Sequence, residues 1–237
     1  MNDVAMFNQM LIMQDEINTI VNPDWRHAKY EWHRAVWIEC AELIEHHGFK
    51  WWKQQKPEWN QITLEIVDIW HFGMSMLLSM GLPLDKIAED LALHYNEVLN
   101  NEESEPSSFI EKVEVLAGTA TTGIFDTISF FDVMLAANID LDLLFSMYVG
   151  KNVLNKFRQA NGYKEGTYHK EWFDGREDNE HLTDIMNQDT LKLLNDIDLI
   201  QYVLSELQLK YDTILTGTLV NGELVITSEF EVQSNGY

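Results

Sequence analysis

The chain has 237 residues, 46% of them hydrophobic, and its 39 acidic and 16 basic side chains give a formal charge of −23. This length and apolar content allow a substantial core and exclude a disordered acidic tail, and the scarcity of glycine and proline favours long helices. The charge disfavours a nucleic-acid polymer as partner because the phosphates would meet a repulsive field, whereas a small phosphate ligand is compatible if a divalent cation lies between the two.

Apolar residues recur at steps of three and four along most of the chain, which is the pattern of helices with one buried face. Gly48 and Gly81 are placed where helices commonly end, and the polar, proline-containing segment 100–108 predicts a loop. Helical segments are predicted, in chain order, at about 6–17, 27–47, 59–80, 84–99, 109–136 and 140–160.

The C-terminal part has a different pattern. After a further predicted helix at about 188–210, Asn221-Gly222 lies between two β-prone runs, which predicts a hairpin with a two-residue turn. We therefore predict an all-α fold, a multi-helix bundle, with a small C-terminal β-hairpin appendage.

The expected compartment is the cytoplasm. A single cysteine, Cys40, excludes an internal disulfide and fits a reducing environment. The first ten residues lack the basic and apolar regions of a signal peptide, so we expect none. The longest apolar stretch, 69–84, is interrupted by polar residues and Pro83, and no membrane span is expected.

Two pairs of carboxylates interrupt otherwise apolar helical segments: Glu39 with Glu42, and Glu65 with Asp68. The members of each pair are three residues apart, so they project from one helix face on adjacent turns. Burial of unpaired carboxylates is costly, and packing of the two helices would raise their proton affinity through mutual repulsion. A hard divalent cation such as Mg²⁺ removes this penalty, which predicts a metal site; the alternative is a solvated acidic stripe.

Aromatic residues near these acids are candidate ligand contacts. Trp51 and Trp52 follow a helix end beside lysines and are better placed to line a pocket than to fill a core. His71 lies one turn after Asp68, where a substrate contact is favoured over metal ligation because oxygen-only sites suit Mg²⁺.

The segment 150–176 has six basic and three acidic residues in an otherwise acidic chain. Lys151, Asn155 and Arg158 follow a spacing of four and then three, so they share one helix face and offer cationic and amide donors to an anion. The alternative is a solvated basic face that balances the acids. Just beyond this helix lie two further candidates, Tyr163 and Lys164.

These motifs resemble those of a known family. The pair Glu39/Glu42 with the following Trp-Trp-Lys, the run Glu-Ile-Val-Asp-Ile-Trp-His-Phe at 65–72, and Asn-x-x-Arg with Asn-Gly-Tyr-Lys at 155–164 are similar to motifs of the all-α, dimeric dUTPases. These enzymes belong with the MazG-like nucleotide pyrophosphohydrolases. The acidic pairs are shared across that superfamily, whereas the basic motif is typical of the dUTPase branch.

The resemblance implies a helical homodimer that hydrolyses dUTP, and also dUDP, to dUMP with release of pyrophosphate or phosphate. A metal-activated water would be the nucleophile, and Glu42 would orient it. The implied cofactor is Mg²⁺, two or more ions per active site, with Mn²⁺ as a substitute. Four carboxylates would act as metal ligands and catalytic residues: Glu39, Glu42, Glu65 and Asp68.

The resemblance also implies how the nucleotide is held. Gln14 and Asn18 on the first helix would read the edge of the uracil. The pocket for base and deoxyribose would be shaped by Trp51, His71 and Phe72. The sugar hydroxyl and the phosphates would be held by Lys151, Asn155, Arg158, Tyr163 and Lys164.

The resemblance covers about 5–182, which implies a catalytic domain at 1–182 and an extension at 183–237 that carries a helix and the hairpin. Three alternatives remain open. The same mechanism could act on dCTP or on a broad range of nucleotides. A carboxylate-bridged di-iron protein would use Asp68-x-x-His71 as half of its ligand set, although no second copy is found. A non-enzymatic helical interaction protein would bind neither metal nor nucleotide.

Overall fold

The structure, a computed structural model, describes residues 1–101, 108–172, 174–188, 196–220 and 223–226. Within these ranges the chain forms nine α-helices, which confirms the all-α prediction. In chain order they are α1 (Asp3–Val21), α2 (Trp32–His47), α3 (Trp59–Ser79), α4 (Leu84–Leu99), α5 (Phe109–Thr121), α6 (Thr127–Ala136), α7 (Leu141–Ala160), α8 (Asp178–Met186) and α9 (Asp196–Thr216).

Helix α2 begins at Trp32, later than the predicted start at 27. Hydrogen-bonded turns precede it, and Lys29 has a φ of 51°, in the left-handed region. A right-handed helix cannot pass through a residue in that conformation, so the apolar spacing at 27–31 does not continue the helix.

The segment 109–136, predicted as one helical stretch, forms two helices. Just after the end of α5, Gly123 adopts a φ of 86°. Glycine reaches this conformation without steric cost, and the helix does not continue through it. Asp126 then caps α6, because its side chain accepts a hydrogen bond from the Ile128 amide at 3.3 Å. Apolar residues continue at helical spacing on both sides, and for this reason the pattern alone does not predict the break.

The remaining differences lie outside the central helices. No periodic apolar pattern predicts the short, polar α8. The helix predicted at 188–210 corresponds to α9, and 189–195 lie outside the described residues. The predicted loop at 100–108 falls mostly on 102–107, which also lie outside them.

Two compact units divide the chain, Met1–Gln159 and Ala160–Tyr237. In the first unit α3 packs extensively along α2 and also contacts α1, while α2 contacts α5 and α1 contacts α4. The centre of this unit is a cluster of aromatic rings, in which Trp70 stacks on Phe130 with ring centroids 4.9 Å apart. The other rings in contact with these two are Phe7, Phe125 and Phe131.

Helix α3 is long and apolar enough to cross a membrane by composition, but 67% of its apolar window is buried inside the protein. Its burial results from packing on both sides, and Gly73 permits the closest approach. A Cβ at Gly73 would lie 2.2 Å from Cζ of Phe125, so the ring occupies the space that any larger residue would need. Helix α3 is therefore a core helix, and the polar groups on it need partners or a ligand.

The second unit has its own aromatic core. Tyr168 stacks on Tyr211 of α9 at 5.1 Å, and Trp172 stacks on His181 of α8 at 4.7 Å. Two strands, β1 (Gly217–Val220) and β2 (Glu223–Ile226), pair in antiparallel register. The turn of the predicted hairpin, 221–222, lies outside the described residues, and the hairpin stays a prediction.

Candidate active site

Packing of α2 against α3 brings three of the four predicted metal ligands together. One carboxylate oxygen each from Glu39, Glu42 and Glu65 lies within 4.8 Å of the other two. We call these three residues the acidic cluster. Helix α2 places its two acids beside the buried stripe of Val36, Cys40 and Leu43, at the edge of the helix interface. Glu65 is buried, Glu39 is half-buried and Glu42 is exposed, so the cluster opens towards solvent at Glu42.

The fourth predicted ligand, Asp68, has a cationic partner from another helix. The Lys151 ammonium of α7 lies 2.7 Å from Oδ2 of Asp68, and the lysine side chain is only 2% exposed. A buried lysine needs a counter-charge, and Asp68 supplies it. Asp68 thus lies beside the acidic cluster and links it to the basic face of α7.

Burial, and after it the neighbouring negative charge, raises the proton affinity of the cluster. The pKa of Glu65 rises to about 9, mainly through burial, then through the negative charge of Asp68 and a hydrogen bond with Glu39. The pKa of Glu39 rises to about 7 for related reasons, with burial as the largest cause. The two carboxyl groups therefore hold a proton between them at neutral pH when no cation neutralises them.

The acidic cluster fits a hard divalent cation. All of its donor atoms are carboxylate oxygens, which Mg²⁺ and Mn²⁺ prefer. The proton held by Glu39 and Glu65 marks the electrostatic penalty that such a cation relieves.

His46 contacts the cluster at its buried end. Its Nε2 lies 3.6 Å from Oε1 of Glu65, and its Nδ1 lies 3.1 Å from Oε2 of Glu58. The sequence pattern did not predict a role for His46, because the residue stands at a helix end beside His47. Its spacing from Glu42, four residues, and from Glu39, seven residues, places all three on one face of α2 and is the signal that could have revealed it.

A buried polar network lies between α1 and α3 and includes both residues predicted to read the base. Gln14 donates from Nε2 to Asn18 Oδ1 at 3.0 Å and to Ser75 Oγ at 3.1 Å. Asn18 donates from Nδ2 to the same hydroxyl at 2.9 Å. The Nδ1 of His71 lies 2.6 Å from Oε1 of Gln14. The structure therefore brings Gln14, Asn18 and His71 together in one hydrogen-bonded network.

Helix α7 completes this network. Tyr148 donates its hydroxyl to Gln14 Oε1 at 3.2 Å, and Asn152 donates from Nδ2 to that hydroxyl at 3.3 Å. Within the described residues, His71 Nε2 and Asn152 Oδ1 are buried without a hydrogen-bond partner. Burial is also the main cause that lowers the pKa of His71 to about 3, so its ring is neutral. A neutral ring protonated on Nδ1 leaves Nε2 as an acceptor.

The aromatic residues predicted for the pocket are not all brought together. Phe72 is half-buried and stacks on Trp32, with ring centroids 6.2 Å apart. Trp51 is 90% exposed on the loop after α2, and its ring meets Trp52 edge to face at 5.5 Å. Trp51 therefore does not enclose the buried network.

Lys151, Asn155 and Arg158 lie at helical spacing on one face of α7. Arg158 donates from Nη1 to Asn155 Oδ1 at 3.2 Å, and Lys151, one turn before Asn155, contacts Asp68. Tyr163 and Lys164 belong to the second unit, and both are exposed. The ring of Tyr163 lies 6.0 Å from that of Tyr168.

Comparison with known proteins identifies the family of the chain. A family model described as dUTPase matches residues 6–163, which is 158 of the 237 residues. No curated protein matches the chain. The matched region runs from α1 through α7 and contains the acidic cluster, the buried polar network and the basic face of α7. The chain therefore belongs to the dUTPase family, the enzymes that hydrolyse dUTP.

Proposed function

We propose that this dUTPase hydrolyses dUTP, and also dUDP, to dUMP in a Mg²⁺-dependent reaction that releases pyrophosphate or phosphate. The observation that carries the proposal is the convergence of Glu39, Glu42 and Glu65 at the interface of α2 and α3. Three carboxylates at such distances repel one another. A divalent cation between them attracts all three and so relieves the repulsion.

The proposed metal ligands are the acidic cluster together with Asp68, for two or more Mg²⁺ ions, with Mn²⁺ as a substitute. When bound, Mg²⁺ supplies Lewis-acid activation of water and neutralises the negative charge of the phosphates. Glu39 and Glu65 hold their oxygens at the buried end of the site. The Lys151 ammonium lies 2.7 Å from Oδ2 of Asp68, and this contact places a positive charge where the phosphates would lie.

Glu42 is the proposed orienting base for the attacking water. It is the exposed member of the acidic cluster, so its carboxylate faces solvent, from which water enters. A carboxylate at that position accepts a hydrogen bond from water and directs its lone pair towards the phosphorus. Arg158 and Lys151 on α7 provide the cationic donors that position the phosphates for this attack.

The buried polar network supports selection of uracil. His71 Nε2 and Asn152 Oδ1 are buried acceptors without a donor among the described residues. Uracil offers an N3–H donor, whereas cytosine offers an acceptor at the same ring position. A site that leaves an acceptor facing an acceptor penalises the wrong base strongly, because neither group is then paired. Gln14 and Asn18 are the proposed amide contacts to the same base.

We further propose a cytoplasmic homodimer whose catalytic domain is 1–182, with 183–237 as an extension. The region proposed for the dimer contact, 109–149, carries four exposed apolar side chains, Val115, Ile124, Ile128 and Leu143. Exposed apolar surface of this kind favours burial against a second copy. Sedimentation velocity at micromolar concentration tests the dimer, and a monomer would contradict it.

A nucleotide panel tests the substrate. The protein is mixed with each dNTP and with dUDP, with and without Mg²⁺, and the released pyrophosphate and phosphate are quantified. We expect release from the uracil nucleotides, and only with the metal. Equal hydrolysis of all bases would favour a broad-specificity pyrophosphohydrolase, and a preference for dCTP would contradict the assignment of uracil. Iron content and visible absorption of the purified protein would instead indicate a di-iron protein.

Substitution of Glu42 tests the mechanism. We expect Glu42→Gln to lower kcat by at least about 100-fold while the protein stays folded, because the amide cannot act as a base. Glu45→Gln is the matched control, since Glu45 lies one turn further along α2 and pairs with Lys50 outside the acidic cluster. Equal rates for the two variants would remove Glu42 from the mechanism.

A further inference from the structure

We propose that His46 is a positioning residue that clasps the end of α2 to the start of α3 and sets the orientation of Glu65 in the acidic cluster. The inference rests on the proposed function, since Glu65 matters there as a metal ligand. His46 is not among the catalytic or substrate-binding residues proposed above.

Three contacts carry the proposal. The Glu58 amide donates to the His46 carbonyl at 3.0 Å, which joins the two helix ends through the backbone. The side chains of the same two residues are also in contact, since Oε2 of Glu58 lies 3.1 Å from Nδ1 of His46. On the far side of the ring, Nε2 lies 3.6 Å from Oε1 of Glu65, within ion-pair distance. One imidazole therefore lies between an exposed carboxylate and a buried one.

The rigid ring explains why this arrangement positions Glu65. The two ring nitrogens are fixed relative to each other, so the contact with Glu58 determines where Nε2 points. Glu58 stands immediately before α3, at its N-terminal cap position, and Glu65 lies two turns into the same helix. One residue of α2 therefore contacts two residues that are two turns apart along α3. The relative position of the two helices thus determines how His46 meets Glu65. Residues that orient metal-ligating carboxylates commonly tune metal affinity.

The neighbouring histidine shows that the contact is specific. His47 points away from the acids and stacks on Phe109, with ring centroids 4.9 Å apart, and it also meets Trp59 at 6.0 Å. Two adjacent histidines at one helix end therefore have different roles: His47 packs α2 against α5, and His46 contacts the acidic cluster.

Two amide substitutions test the contact of His46 with Glu65 and its contact with Glu58 separately. The amide nitrogen of glutamine reaches about as far as Nε2, and that of asparagine about as far as Nδ1. His46→Gln therefore keeps a polar group near Glu65, and His46→Asn keeps one near Glu58. His46→Ala removes both contacts. His27→Ala is the control, because His27 is 82% exposed in its side chain and lies outside the site.

The first measurement needs no metal. Urea unfolding of the variants His46→Ala, Glu58→Gln and the double variant gives the coupling between the two side chains. We expect the double variant to lose less unfolding free energy than the sum of the losses in the two single variants. Strictly additive losses of unfolding free energy would overturn the proposed contact between His46 and Glu58, whatever the outcome for the enzyme reaction.

The second measurement is Mg²⁺ uptake by calorimetry, together with kcat and KM for dUTP. We expect His46→Ala and His46→Asn to bind Mg²⁺ about ten-fold more weakly and to lower kcat more than they change KM, whereas His46→Gln restores much of both. Absence of Mg²⁺ uptake by the unmodified protein would defeat the proposed function itself. Normal uptake by the unmodified protein and an unchanged affinity and kcat in His46→Ala would overturn the positioning role alone.

Discussion

Glu39 and Glu65 illustrate how single residues acquire properties from their surroundings. On a solvated helix each would be ionised at neutral pH, but at the interface of α2 and α3 their pKa values rise to about 7 and about 9. Burial is the largest cause in both cases, and the charge of Asp68 adds to it. The protons on these groups occupy positions that a cation would take.

Binding of Mg²⁺ should therefore release protons. At pH 7 a carboxyl with a pKa of about 9 is protonated, so the cation must displace at least one proton per chain. Calorimetric titrations in two buffers of different ionisation enthalpy measure this number directly. Glu65→Gln should release fewer protons, and an observed enthalpy independent of the buffer would contradict the prediction.

His71 should destabilise the protein as the pH falls. Its pKa is lowered from 6.5 to about 3 by burial, so the unfolded state binds a proton at a pH where the folded state does not. The free energy of unfolding should therefore decrease as the pH falls below 6.5, by about 1 kcal/mol between pH 6.5 and 5.5.

Urea unfolding at several pH values checks this dependence. The variant His71→Asn should show a flatter curve over the same window, because it has no group to protonate. The comparison uses the slope with pH, so a general loss of stability in the variant does not affect it. Equal slopes for both proteins would mean that His71 titrates normally.

At the scale of elements, α3 determines how the site is built. The helix is buried along most of its length, and it carries Glu65, Asp68, His71 and Ser75 on turns that face α1, α2 and α7. Apolar neighbours exclude water from these polar groups, which strengthens their electrostatic interactions. The same packing that stabilises the fold thus creates the chemical environment of the site.

Gly73→Ala should test how tightly α3 is packed. A Cβ at this position would lie 2.2 Å from the ring of Phe125, so the ring must move and the aromatic cluster must repack. We expect a loss of about 1–3 kcal/mol in unfolding free energy, despite the higher helix propensity of alanine.

Gly118→Ala is the matched control, since Gly118 is an exposed helical residue of α5 with no atom within 4 Å of the added Cβ. There the substitution should stabilise by up to about 1 kcal/mol. Thermal and urea unfolding of both variants give the comparison. A stabilised Gly73→Ala would show that α3 tolerates a larger residue at its closest approach.

At the scale of the whole molecule, the chain combines a first unit, Met1–Gln159, that holds the acidic cluster with a second unit, Ala160–Tyr237. The dUTPase match ends at residue 163, near the start of the second unit. In that unit α9 supplies Tyr211, whose hydroxyl accepts a hydrogen bond from the His169 amide at 3.3 Å and whose ring stacks on Tyr168. Helix α9 is thus part of the core that supports the segment after α7.

Two C-terminal deletions should therefore behave differently. Removal of 217–237 should leave dUTP hydrolysis within about two-fold of the full chain, because no proposed site residue lies there. Removal of 188–237 should lower the melting temperature, because it removes Tyr211 and exposes Tyr168 and Trp172. Hydrolysis assays and thermal melts check both, and loss of activity on removal of 217–237 alone would assign a function to the extension.

Local patterns predicted much of this molecule. The spacing of apolar residues predicted the helical class and the approximate positions of α1 to α4 and α7, because one buried face leaves a periodic trace. The acids were recognisable because Glu39, Glu42, Glu65 and Asp68 stand among apolar neighbours, where a charge is expensive. The resemblance of these motifs to dUTPases is confirmed by the family match.

Tertiary packing decided the rest, because the deciding contacts join residues far apart in sequence. Only the packing of α2 on α3 determines that three acids converge. Only the approach of α7 to α3 pairs Asp68 with Lys151, 83 positions away. Neighbouring residues on a helix point in different directions. Only the packing of α2 on α3 therefore places His46 beside Glu65, and only its packing on α5 places His47 against Phe109. Periodicity indicates which face of a helix is buried, whereas the identity of the partner across that face depends on the three-dimensional fold.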